Sequence, residues 1–125
     1  MDYKSFFRYL WEGRYGRFWS AYWMDSRGMF HEVYRDEGGQ NGHFKFAKEY
    51  CDVHNIDYSH VGPYAELFKR GWILVTYNYE SDAKLRFEYS QRRPSDSQIR
   101  SLKVKARELG AQSIVDDKQN KELEF

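Results

Sequence analysis

Residues 17–24, RFWSAYWM, constrain the fold more than any other stretch of this chain. Read as an extended strand, they place Trp19, Ala21 and Trp23 on one face and Phe18, Tyr22 and Met24 on the other, because successive strand side chains alternate. Large apolar side chains on both faces mark a strand that is covered from two sides. Asp25-Ser26-Arg27-Gly28 follows as a turn, with glycine where a positive φ is needed, and Met29 to Arg35 alternates again. The spacing predicts a β-hairpin over 17–35.

The aromatic strand belongs to a wider pattern. The chain has 9 Phe, 4 Trp and 11 Tyr among 125 residues. Its mean hydropathy is nevertheless −0.92, with 31% charged residues. A core in so hydrophilic a chain has to be built from rings, and a chain this aromatic is not disordered over most of its length. The length suits one domain. No run approaches the roughly 18 apolar residues of a membrane span, and Lys4 and Arg8 interrupt any signal-peptide pattern at the start. The expectation is a soluble cytoplasmic protein with no membrane contact. Its single cysteine, Cys51, leaves no intramolecular disulfide.

Further along, Phe6, Phe7, Leu10 and Trp11 predict a helix over 2–11, and Asp36 to Gly42 reads as a loop. Phe44, Ala47, Tyr50 and Cys51 give a helix over 43–54. Gly62-Pro63 opens a short helix with Tyr64, Leu67 and Phe68 inward, stopped at Gly71. Residues 72–79 and 84–90 form a second hairpin around 81–83. Ser95 with Gln98 is a capping box for a helix that buries Ile99, Leu102, Ala106 and Leu109 and stops at Gly110. Ser113 to Val115 adds a short edge strand. The predicted class is α+β: two antiparallel β-hairpins in one sheet, three or four helices packed on one face, a single domain over 1–115 and a flexible polar tail over 116–125.

Four local patterns together resemble small uncharacterised proteins encoded in tailed-phage and related viral genomes. They are Tyr22-Trp23-Met24-Asp25 with Gly28; His43 with Phe46-Ala47; Gly71-Trp72-Ile73 with Val75; and Pro94, Gln98, Leu102, Ala106 and Gly110. The resemblance spans roughly residues 20–110. It implies a viral or phage-derived origin, and with it the host cell cytoplasm or the virion as the location, and carries no established activity or functional residues.

No catalytic set emerges from the residues, and no cofactor is implied. His43, Cys51, His54 and His60 are the right residue types for zinc, but their spacing is not a zinc pattern and only one thiolate is present. Cys51 with His54 is a Cys-His pair in name, yet Cys51 lies on the apolar stripe of its helix, where a thiol is inert. His31-Glu32 lacks the Pro-Cys-x-x-Cys half of the deaminase signature. The glycines of 38–42 lack the lysine of a phosphate loop. The chemistry points away from an enzyme.

Charge is local rather than global. Net charge is +1, with 8 basic against 9 acidic groups in 1–60, 10 against 6 in 61–115, and 2 against 4 in 116–125. Arg92, Arg93, Arg100, Lys103 and Arg107 are candidate polyanion contacts, the last three forming an outward stripe on their helix. Trp19, Tyr22 and Trp23 are candidate protein-interface residues, since two-sided aromatic strands on a small domain leave area for a partner or a second copy. The leading expectation is a non-enzymatic protein-interaction or assembly module. The alternative is a nucleic-acid-binding accessory protein that uses the basic block over 84–107.

Overall fold

The computed structural model describes residues 19–35, 41–78 and 83–124. The helix expected over 2–11, the start of the first strand, most of the loop over 36–42 and part of the turn over 81–83 lie outside them. Among the described residues, β1 (Trp19–Met24), β2 (Phe30–Arg35), β3 (Ile73–Asn78), β4 (Lys84–Glu88), β5 (Ser113–Asp116) and β6 (Lys121–Leu123) form one sheet. Three helices accompany it: α1 (Asn41–Val53), α2 (Pro63–Lys69) and α3 (Asp96–Leu109). The strand order is β2-β1-β3-β4-β5-β6. All neighbours are antiparallel except β4 and β5, which run parallel.

The alternation in β1 is realised on both faces. Ala21 and Trp23 join one core with Ala47 and Cys51 of α1, Tyr64, Leu67 and Phe68 of α2, and Trp72 and Leu74. Tyr22 and Met24 join a second core with Val75, Leu85, Phe87, Ile114, and Leu102 and Ala106 of α3. The protein is thus α+β in three layers, with α1 and α2 on one side of the sheet and α3 on the other. This corrects the expectation of helices on one face. Parallel strands cannot be joined by a tight turn and need a crossover connection. Residues 89–112 supply it between β4 and β5, and α3 within them covers the second face.

Trp23 is the centre of the first core at 0% exposure. Its ring meets those of Tyr64 at 5.0 Å, Phe68 at 5.2 Å and Trp72 at 6.3 Å, with interplanar angles of 71°, 59° and 73°. Inclined contacts of this kind add about 0.5–1.5 kcal/mol each beyond area burial. An aliphatic-poor chain therefore reaches a close-packed interior through ring edges. Trp23 and Tyr22 (3% exposed) were expected at a protein interface. Both are enclosed by their own chain, because each face of β1 has its own helical layer. The side chain of Trp19 lies outside the described residues.

The expected flexible tail over 116–125 is also corrected, since it contains the end of β5 and all of β6. Asp116 organises the connection: its Oδ1 accepts from Lys118 N and Gln119 N, both at 3.0 Å, and its Oδ2 accepts from Tyr89 Oη at 2.8 Å. β5 is consequently an interior strand. Both sheet edges among the described residues carry features that discourage edge-to-edge pairing. The register of β2 against β1 shifts at Ala21/Tyr22, a bulge that leaves Val33 as the extra residue. β6 is three residues long, with Lys121 and Glu122 exposed.

Candidate functional site: the groove between the first turn and α3

The Asp25–Gly28 turn is held by its own aspartate. Asp25 Oδ1 accepts from Arg27 N and Met29 N, both at 2.9 Å, and Oδ2 accepts from His31 Nε2 at 3.1 Å. Burial pushes the Asp25 carboxyl up, but the hydrogen bonds from Met29, His31 and Arg27 outweigh it and hold the group below the ordinary carboxylate range. Among the described residues His31 hydrogen-bonds no other side chain, and its ring packs against Trp72 at 5.2 Å. Here the aspartate–histidine pair holds a turn.

Gln98 locks that turn to the rest of the molecule. Its backbone N donates to Ser95 Oγ at 3.2 Å, and its Oε1 accepts from Ser95 N at 2.9 Å, which is the capping box of α3. Its Nε2 donates to two distant carbonyls, Asp25 O at 3.0 Å and Gly71 O at 2.8 Å. One buried side chain therefore joins the first turn, the α2–β3 connection and the start of α3. Gly28 completes the joint. Its φ is +91°, and a Cβ there would stand 2.5 Å from Ser101 Oγ. The turn backbone rests directly on α3, which only glycine permits.

Alongside this joint runs an open groove of about 460 Å³. One wall is Arg27, Met29 and Phe30. The other is the α3 stripe of Ser97, Arg100, Ser101, Val104, Lys105 and Glu108, whose alternating spacing of three and one puts them on one helix face. Met29 is 63% exposed and Val104 52%, the two large apolar side chains most open to solvent around this site. Lys105 bridges to Glu108 at 3.5 Å and lies 5.0 Å from the centroids of both Tyr22 and Phe30. Arg27 and Arg100 line the same groove and form no ion pair among the described residues.

The sequence-predicted basic residues divide between two places. Arg100 lines the groove, while Arg92 and Arg93 flank a separate pocket of about 70 Å³ beside Ser26 and Gly71. Arg92, Arg93, Arg100 and Arg107 are exposed and Lys103 is half-buried. Lys103 and Arg107 stand on α3 outside the groove lining. Sequence reasoning missed Arg27 and Met29, whose importance depends on the turn lying against α3.

The histidine–cysteine set does not assemble: among the described residues no group of three or more His, Cys, Asp or Glu could hold a metal ion. His43 and Cys51 are buried, His54 and His60 exposed. Burial drives His43 down to about 3, so it is neutral near pH 7. Burial likewise raises the Cys51 thiol, and the His54 ring lies over Tyr50 at 4.1 Å. A buried protonated thiol is a poor nucleophile.

The less expected buried group is Glu88. It alternates with Leu85 and Phe87 on the polar side of β4, yet it is fully buried. Oε1 accepts from Tyr89 N at 3.3 Å, and Oε2 has no hydrogen-bond partner among the described residues. Burial pushes its carboxyl up to about 8, with the Asp117 carboxylate adding to the effect. Comparison with models of known families, with curated proteins and with solved structures returns no match.

Proposed function

We propose that the protein is a non-enzymatic protein-interaction module, of the viral or phage origin that its motifs imply, and that the groove beside α3 is its docking site. The observation that carries this reading is the pairing of two exposed apolar side chains, Met29 and Val104, in one groove with Arg27 and Arg100. Apolar centres edged by arginine are what protein interfaces use. No described helix is long and apolar enough to cross a membrane. Nucleic-acid binding is the second reading, favoured by the exposure of Arg92, Arg93, Arg100 and Arg107. It is weakened at the groove because Phe30 already meets the edge of Tyr22 at 5.8 Å and the Lys105 ammonium at 5.0 Å. Base stacking needs an open ring face.

Selection of a displayed random-peptide library on the immobilised protein tests the docking reading. The expected result is enriched peptides that bind the wild type and lose binding to the Met29→Ser, Val104→Ser double variant. Both positions are exposed, so that variant should keep the wild-type circular dichroism and melting profile. Absence of enrichment, or peptides that bind both proteins equally, would contradict the groove as a docking site.

A further inference from the structure

Resting on that docking reading, we infer that the occupant of the groove is an acidic amphipathic segment of a protein partner, its carboxylates meeting Arg27 and Arg100 and an apolar side chain packing between Met29 and Val104. Charge complementarity carries the inference. The groove holds three cations, Arg27, Arg100 and Lys105, against one acid, Glu108. Lys105 and Glu108 satisfy one another, which leaves the two arginines. The nearest candidate acid from the turn is Asp25, and its oxygens are occupied by Arg27 N, Met29 N and His31. Guanidinium groups present a planar fork of donors that carboxylates accept in pairs, so a carboxylate is the fitting counter-group.

The floor favours a peptide backbone. Gly28, Ser97 and Ser101 contribute little bulk where the turn meets α3. From Ser97 to Glu108 the helix rises about 16 Å, enough for about five residues of an extended segment. A nucleic acid would find two arginines there but no free ring face, and its bases would lie against Met29 and Val104 without stacking partners.

The test is fluorescence anisotropy with five labelled probes on the full chain: a peptide of alternating glutamate and leucine, a glutamine–leucine peptide, a glutamate–serine peptide, a lysine–leucine peptide and oligothymidine. The glutamate–leucine peptide should bind tightest and lose about tenfold or more, about 1.4 kcal/mol, on the Arg27→Glu, Arg100→Glu double variant. That variant should in turn prefer a lysine–leucine peptide, a rescue that loss of folding cannot produce. Equal binding of the glutamine–leucine and glutamate–leucine peptides, with both lost on Val104→Ser, would overturn the acidic occupant and leave the docking reading intact. Binding of oligothymidine alone, lost on the arginine variant, would overturn both in favour of nucleic acid.

Discussion

Glu88→Gln is expected to remove most of the pH dependence of stability between pH 6.5 and 8. In the unfolded chain Glu88 releases its proton near the ordinary value of 4.5, whereas in the fold it keeps it to about 8. Across that interval the native state binds more protons than the unfolded state, so stability falls as pH rises. One proton gives a slope approaching about 1.4 kcal/mol per pH unit, or roughly 2 kcal/mol over this window. His43 acts in the opposite sense. It is held neutral down to about 3 while the unfolded histidine protonates near 6.5, so stability falls as pH drops through that range. The two slopes oppose one another between 4.5 and 6.5, where maximum stability is expected. Denaturant midpoints across pH should show the loss above 6.5 in the wild type and its near absence in the glutamine variant. Equal slopes in the two proteins would place Glu88 in an ordinary solvated environment.

The second large effect is at Gln98. Gln98→Ala removes the reciprocal cap and both long-range amide donors, and should cost about 3 kcal/mol. Gln98→Glu separates the two roles. Glutamate is as good as glutamine in a capping box, so a residue that only capped α3 would tolerate it. Here the change replaces Nε2 with an oxygen facing the carbonyls of Asp25 and Gly71, 3.0 and 2.8 Å away. The glutamate variant should therefore be destabilised at least as much as the alanine variant. Wild-type stability in Gln98→Glu would reduce this side chain to a cap.

These two residues also show what could be read from the sequence. The Asp25–Gly28 turn, the Pro63 helix start and the Ser95–Gln98 box were legible because each is a local rule: a φ, a proline, a spacing of three. The four local motifs of the sequence fall mostly on such positions and on core contacts. Asp25, Gly71 and Gln98 meet at one joint, and Trp23, Ala47 and Trp72 share a core. What stayed hidden depends on distant elements meeting. The parallel β4–β5 pair, the two-sided covering of the sheet and the β6 strand are decided by long-range packing. Glu88 has the alternation of a solvent-facing residue, and nothing local marks its burial. Trp23 and Tyr22 failed as interface candidates for the same reason, since the alternation announced two covered faces but not that α3 would supply the second cover.

The proposed docking groove divides in the same way. Arg100 was visible as part of a helix stripe, whereas the groove exists because Gly28 lets the turn rest on α3. Titration of the ¹⁵N-labelled protein with the glutamate–leucine peptide, followed by amide chemical shifts, tests that groove most directly. Perturbations should concentrate at Arg27 to Phe30 and along the Ser97 to Glu108 face, saturating together as one site. Shifts confined instead to α1 or to the β6 edge, or no shifts at saturating peptide, would contradict it.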